Sequence, residues 1–353
     1  YTYDLNGNVK TVVNPVTGTT TLAYDALNRL IQSVDPMGGV TKFEYNATDK
    51  LVKVTDPRGK VTSYVYDGFG QLWKQVSPDS GTTTFTYSAT GQRMSMTRND
   101  GSTTTYAYDA LGRLTAVNAG GQVLGYGYDW CTNGKGRLCN ADSLGSTLHF
   151  AYEPDGRLLV RREMIRGNGV EADYWTRHQY DAVGRLNAII YPNGMAVGYG
   201  YASGKVTAMT VNIGGAISNV ITNASYRPFG PVTGFTYGNG LSRNYLYDQN
   251  YNPYDERLTG ITTMNGGVTL QSLLRNYDSA DRATKTANYV NGNLTQSYTY
   301  DTLSRLKTVA SNSGNQNFYW DANGNKTRHT WVSDDLLTVD ANSNRVAAMN
   351  AHA

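Results

Sequence analysis

Thr103-Thr104-Thr105-Tyr106-Ala107-Tyr108-Asp109-Ala110-Leu111-Gly112-Arg113-Leu114 decides how this chain is read. It is the cleanest copy of a unit that recurs from one end to the other: a Thr run, an aromatic, a small residue, Tyr-Asp, two variable residues, a turn residue, a base and an aliphatic. The second aromatic sets the register. It stands at Tyr3, Tyr24, Tyr45, Tyr66, Tyr87 and Tyr108, in five equal steps. The same position continues at Tyr128, Tyr152, Tyr180, Tyr201, Tyr226, Tyr247, Tyr277, Tyr300 and Trp320, and a degenerate copy carries Val339. Five equal steps do not arise by chance, and self-similarity at a fixed period marks a repeat architecture.

Within a unit the side chains alternate. Tyr106 and Tyr108 fall on one side of an extended strand, Thr105 and Ala107 on the other. The same aromatic pairing recurs at Phe43/Tyr45, Tyr64/Tyr66, Phe85/Tyr87, Phe150/Tyr152 and Tyr298/Tyr300. One face is therefore expected to bear an aromatic ladder, the other small and polar residues. Two turns complete the unit. The first is Asp-x-x-Gly or Asp-x-x-Asn, as in Asp25–Asn28 and Asp109–Gly112; Asp caps its own turn and Gly or Asn takes the left-handed position. The second is often Asp-Pro-x-Gly, as in Asp35–Gly38 and Asp56–Gly59, where Pro presets φ. Two strands of about eight residues with two turns fill one period, so each unit is a β-hairpin and the chain a meander.

The fold class is thus all-β: about sixteen hairpin units forming a curved, spiralling antiparallel sheet, part of a hollow β-shell. Units this short bury no core alone and depend on stacked neighbours. About 32 strands at ~4.8 Å spacing make a strip roughly 150 Å long and about 26 Å wide, which strand twist coils. Residues 1–353 read as a single array, regular over 1–127 and carrying insertions over 128–353. The chain opens on Tyr1 and trails off in small and polar residues, so it reads as a segment of a longer array.

Composition excludes several functions. The 353 residues carry 31 Lys and Arg against 28 Asp and Glu, a net charge of +3, too mild and too evenly spread for a nucleic-acid or anionic-membrane partner. No apolar run approaches the roughly 20 residues that a spanning helix needs, so no membrane span is expected. The 28 Tyr and 38 Gly with only 9 Pro suit strands joined by tight turns, not a disordered chain.

The insertions begin at an enlarged turn, Asp129 to Cys139. Cys131 and Cys139 lie symmetrically about Lys135 and are the only cysteines. Opposed cysteines in a hairpin fit the Cα separation of a disulfide, about 5.5 Å; free thiols are the alternative, and with only two cysteines a Cys-based zinc site is not expected. A lengthened hairpin follows, with Leu158–Arg166 and Val170–Tyr180 flanking Gly167-Asn168-Gly169 and carrying Arg161, Arg162, Arg166 and Arg177. It reads as a longer solvated hairpin, or as an arm that meets a partner. A second enlarged turn runs through Asn250-Tyr251-Asn252-Pro253-Tyr254.

No catalytic set stands out. His149, His178, His329 and His352 are scattered without metal-ligand spacing. The aspartates sit where turn capping accounts for them, and no pair is singled out for glycoside hydrolysis. Asp25 with Arg29, Asp109 with Arg113 and Asp181 with Arg185 read as a charge ladder at the sheet rim, each pair worth ~0–1 kcal/mol. The anchor residues read as structural; a sugar-binding aromatic ladder is the alternative. Neither an enzyme activity nor a cofactor or metal is expected.

Tyr24-Asp25-Ala26-Leu27-Asn28-Arg29-Leu30, Tyr108 to Leu114, Tyr180-Asp181-Ala182-Val183-Gly184-Arg185-Leu186 and Trp320-Asp321-Ala322-Asn323-Gly324-Asn325-Lys326 resemble the Rhs, or YD, repeat family. The resemblance covers essentially the whole chain. It implies a spiralling sheet that closes into a shell. In bacterial Rhs proteins and Tc toxins the shell encloses a C-terminal toxin. In teneurins and wall-associated proteins related repeats stand on the cell surface. The implied function is a wall segment of a toxin-enclosing shell, with an extracellular adhesion or carbohydrate-binding surface as the alternative. Implied partners are the remaining repeats of the same polypeptide, an enclosed toxin domain, and a secretion-system or cell-surface component. The implied location is secreted or cell-surface, in bacteria. An Rhs core usually ends in Asp-Pro-x-Gly-Leu. Here Asp35-Pro36-Met37-Gly38-Gly39 and Asp56-Pro57-Arg58-Gly59-Lys60 occur early and read as ordinary turns, so wall without cargo or release site is expected.

Overall fold

The computed structural model describes residues 1–167, 169–248, 257–331 and 333–352. Asn168 and the Asn250–Tyr254 turn lie outside the described residues. Those described hold 32 β-strands in one open, unclosed antiparallel sheet, and a single helical turn, Gly292–Leu294. Strand follows strand as a meander: Thr103–Tyr108 pairs with Leu114–Ala119, which pairs with Gln122–Tyr128, which pairs with Leu138–Asp142. The strands gather into two compact units. One comprises Tyr1–Gly91, Met96–Gly101 and Leu273–Ala353, the other Gln92–Ser95 and Ser102–Ser272.

The expected alternation is visible strand by strand. In Thr103–Tyr108 the residues Thr104, Tyr106 and Tyr108 are covered, while Thr103, Thr105 and Ala107 are exposed. Coverage is partial nearly everywhere. Among the described residues the only buried hydrophobic side chains are Phe85, Cys139 and Val309, and of these only Cys139 is completely enclosed. The sheet therefore has no enclosed core of its own, and each unit leans on the next.

One regular feature was not anticipated. The ladder slips by one residue just before nearly every anchor: between Glu44 and Tyr45, Val65 and Tyr66, Ala107 and Tyr108, Gly127 and Tyr128, and again between Tyr319 and Trp320. Tyr66 faces Leu72 while Val65 faces Lys74, so Trp73 is the extra residue of a β-bulge. A bulge bends its strand and raises the local twist. Recurring from unit to unit, it gives the sheet regular curvature at the rim where the Asp-x-x-Gly turn sits.

In the first unit the hairpins are short, such as Val61–Tyr66 with Leu72–Ser77. The second unit holds the long ones. Leu158–Gly167 and Val170–Tyr180 pair without a slip from Val160 opposite Arg177 to Gly167 opposite Val170. Three of the arginines on this hairpin meet carboxylates of the same hairpin: Arg161 with Glu163, Arg162 with Asp173 and Arg166 with Glu171.

Candidate functional site

The Tyr-Asp-x-x-Gly-Arg signature is a fastening between consecutive hairpins. Its local part is the turn. Asp109 Oδ1 accepts from the amides of Leu111 and Arg113, both at 2.9 Å, and Gly112 N–H donates to the Asp109 carbonyl at 3.0 Å. The other carboxylate oxygen accepts from Arg113 Nε at 2.7 Å. Asp25 with Arg29, Asp181 with Arg185, Asp278 with Arg282 and Asp301 with Arg305 repeat the arrangement. The backbone amide of the arginine, then its side chain, holds the Asp25, Asp109 and Asp181 carboxyls below the usual carboxylate range.

The arginine so fixed points forward. The Arg113 guanidinium lies 4.3 Å over the Tyr128 ring and donates to Asp129 at 2.7 and 3.1 Å. Arg29 lies over Tyr45, Arg157 over Tyr180, Arg185 over Tyr201 and Arg282 over Tyr300, all between 4.5 and 4.9 Å. Arg282 and Arg305 also donate to the carbonyls of Asp301 and Asp321, the turn residues of the following repeats. Beyond a ladder at the rim, these arginines serve the neighbouring hairpin: Arg29, Arg113 and Arg185 keep 23%, 25% and 38% of their side chains exposed, and Arg282 and Arg305 only 15% and 16%. The forward arm also restricts the turn it reaches. Gly184 has φ +85°, and a Cβ there would overlap Arg157 Nη1.

The tyrosine reaches backward. Tyr66 Oη donates to the Leu51 carbonyl at 2.9 Å, Tyr87 to Leu72 at 2.8 Å, Tyr108 to Arg93 at 3.0 Å and Tyr128 to Leu114 at 2.8 Å. Tyr45, Tyr152, Tyr180, Tyr201, Tyr226, Tyr247 and Tyr300 do the same, and Trp320 substitutes its indole N–H, donating to Leu306. Partial burial pushes the Tyr66, Tyr152, Tyr180 and Tyr300 phenols up, so they stay protonated donors at neutral pH. Many of the anchor rings are thus covered by a cation on one side and tied through oxygen at the tip. That geometry leaves little of the ladder open to a sugar.

A second contact belongs to the first compact unit. Its early Asp-Pro-x-Gly rim meets its late Asp-x-x-Gly rim. Arg58 Nη1 donates to the Ser343 carbonyl at 2.8 Å and to Asn344 Oδ1 at 3.0 Å, and Arg58 Nη2 to the Asp340 carbonyl at 3.0 Å. Asp56 Oδ2 accepts from Asn323 Nδ2 at 2.5 Å and Asn344 Nδ2 at 2.9 Å, while Asp79 Oδ1 takes the Asn344 amide. Lys60 donates to the Ala341 carbonyl. Hydrogen bonds to the charged form keep Asp56 below the ordinary carboxylate range despite the opposing cost of its burial.

The structure joins Cys131 and Cys139, with Cα atoms 5.3 Å apart. Cys139 is itself the bulged residue, between Leu138 opposite Tyr128 and Asn140 opposite Gly127, and it is fully buried. The loop folds onto the following repeat: Tyr152 N–H donates to the Thr132 carbonyl, and Asn133 Nδ2 to the Tyr152 carbonyl at 2.8 Å. Gly134 lies against both sulfurs. Among the described residues no three His, Cys, Asp or Glu side chains gather as a metal site, and no helix is long and apolar enough to cross a membrane.

The RHS Repeat family model matches residues 3–40, 24–61, 45–82, 66–103 and 87–123, overlapping windows that advance in the register of the anchor tyrosines. No curated protein sequence matches the chain. Solved structures do. The Photorhabdus luminescens Tc holotoxin pore matches with a TM-score of 0.83 at 19% identity, over 94% of this chain and 20% of that one. The TcdB2-TccC3-Cdc42 structure gives 0.82 at 19% identity over 94% and 20%, and TcdB2-TccC3 gives 0.70 at 16% identity over 99% and 25%. The chain therefore spans a fifth to a quarter of the length of these structures, with the same fold. The family match thus places residues 3–123 among RHS repeats, the Tyr-Asp fastening continues beyond them, and nearly the whole chain shares the fold of these structures.

Proposed function

We propose that the chain is a wall segment of a hollow Rhs-type shell that encloses a toxin segment of the same secreted polypeptide, in a bacterium. The observation that carries this reading is the seam in the first unit, where Asp56, Arg58 and Asp79 of early repeats hold Asn323, Asp340 and Asn344 of late ones. A strip whose two rims are complementary can be laid rim to rim, which is what a wall requires. In this reading the anchor tyrosines and the Cys131–Cys139 bridge serve the wall and take part in no reaction.

Limited proteolysis of the full-length polypeptide tests the proposal. An enclosed segment resists protease until the wall is denatured, and Arg58→Ala combined with Asn344→Ala makes it accessible. A non-repeat segment digested at the rate of any exposed loop, with the wall intact, would refute enclosure.

A further inference from the structure

The seam of the first unit advances one turn at a time along both rims. The late turn Asp321–Gly324 meets the early turn Asp56–Gly59: Asn323 Nδ2 donates to Asp56 Oδ2 at 2.5 Å, and Arg58 N–H to Asn323 Oδ1 at 3.2 Å. The following late turn, Asp340 to Arg345, lies between two early ones. It accepts from Arg58 and Lys60 on one side and gives its Asn344 amide to Asp79 Oδ1 at 2.6 Å on the other. The early rim then continues with Arg98–Gly101, a turn closed by Gly101 N–H on the Arg98 carbonyl at 3.0 Å. Where one further step of the seam falls, between the Ser77–Ser80 and Arg98–Gly101 turns, there is a polar cleft of about 450 Å³. The first of these turns contributes Asp79 and Ser80, the second Arg98 and Asp100, and the late rim contributes Arg345. All of them belong to the first compact unit.

Arg345 indicates what the cleft receives. Asp340 N–H donates to the Arg345 carbonyl at 2.8 Å, as Asp109 N–H donates to that of Arg113 at 3.0 Å, so Arg345 holds the arginine position of the Tyr-Asp fastening. Elsewhere that arginine reaches the next repeat, as Arg113 reaches the Tyr128 ring and the Asp129 carboxylate. Arg345 and Arg98 are exposed, line the cleft and form no ion pair among the described residues. Asp100 is the third residue of its turn, as Asp79 is of the one before, and Asp79 there accepts a backbone amide of the late rim.

We infer that this cleft seats the Tyr-Asp turn of a further repeat of the wall. The incoming tyrosine ring lies beneath Arg345, the incoming aspartate is shared by Arg345 and Arg98, and a backbone amide of the turn donates to Asp100. A carboxylate is the complement of an arginine fork, and a ring under the same guanidinium adds to the attraction. A metal cation, the other ligand that Asp79 and Asp100 would suit, is disfavoured by the two guanidiniums. The inference rests on the reading of the chain as a wall segment and deepens it, by giving the place and the chemistry at which the seam takes its next turn.

The test adds to the whole chain a backbone-cyclised hairpin with the sequence of Thr103–Ala119, whose ring closure holds its strands together without neighbours. Binding is followed by calorimetry and hydrogen exchange. Saturable binding is expected, weakening as salt is raised, with exchange slowed at Ser77–Gly81 and Arg98–Gly101. Arg345→Gln costs about tenfold in affinity. Asp109→Asn in the hairpin costs about the same, and the two together cost little more than either alone. Arg275→Gln, at an exposed arginine on another strand, changes nothing. No binding of the hairpin, or protection elsewhere on the chain, overturns the seat. Additive effects of Arg345→Gln and Asp109→Asn overturn the assigned contact. Inorganic phosphate that binds at Arg98 and Arg345 and is not displaced by the hairpin makes the cleft an anion site. Self-association of the chain that Arg345→Gln abolishes and the hairpin does not compete with assigns it to a second copy. Either result overturns the proposal. Enclosure is read separately by proteolysis, so a chain whose polypeptide shields a segment but binds no hairpin refutes the seat alone.

Discussion

Tyr66 donates its phenol to the carbonyl of Leu51, 2.9 Å away and 15 residues back, and so closes the rim of the preceding hairpin. The same step recurs along the array, which makes the tyrosine a backbone cap placed one repeat downstream. Tyr66→Phe removes one neutral hydrogen bond and should cost about 1 kcal/mol. Tyr66→Ala should cost more, yet less than the ~3–5 kcal/mol of a fully buried aromatic, because the ring is half-covered. Urea unfolding of the two variants measures both, and exchange of amides near Leu51 should quicken first.

Arg113 ties Asp109 to Asp129, and the tie predicts a pH dependence. Its side chain, with the Gly136 amide, lowers the Asp129 pKa from 3.8 to about 2. A carboxylate with a lowered folded pKa stabilises the fold fully above its unfolded value. That contribution fades as pH falls from near 3.8 towards 2. Proton titration of Asp129 by NMR should give the low value, and Arg113→Gln should return it towards the ordinary range.

The loop from Cys131 to Cys139 is short, so its bridge should add only about 2.5 kcal/mol at most. Mass spectrometry after alkylation without reduction should find neither thiol modified in protein from an oxidising compartment. Gly134→Ala places a methyl within 2.6 Å of Cys139 Sγ, a separation that real carbons do not tolerate. It should destabilise the loop by about 1–3 kcal/mol and raise the fraction of free thiol.

Arg58→Ala should loosen the seam of the first unit at both of its ends. Hydrogen exchange should quicken together around Asp56–Lys60 and around Asp321–Asn325 and Asp340–Arg345, while the hairpin of Thr103–Ala119 is unchanged. Quickening confined to the mutated turn would show that the rim contact carries no stability.

Much of this architecture is local and was therefore legible in the sequence. The period, the hairpin, the Asp cap and the left-handed Gly112 all depend on residues within a few positions of one another. The bulge does not: it is a mismatch between two strands, and Trp73 or Cys139 becomes the extra residue only once the register is known. The forward reach of Arg113 was missed for a related reason. Its partner Asp129 lies in the next repeat, and the nearby Asp109 in the same turn was sufficient to suggest an exposed ladder. The seam between Arg58 and Asn344 joins residues 286 apart, a separation that no local pattern bridges.

The central claim is that the Tyr-Asp signature fastens each hairpin to the next, and a double-mutant cycle between Arg113 and Tyr128 tests it most directly. Arg113→Gln, Tyr128→Leu and the double variant are compared by equilibrium unfolding, with Arg113 and Tyr201 as a control pair that shares no contact. The account predicts a coupling of about 0.5–1 kcal/mol for the neighbours, the range of a cation over a partly exposed ring. It predicts additivity within ~0.3–0.5 kcal/mol for the control. Additive effects at Arg113 and Tyr128, or the same coupling in the control pair, would contradict it.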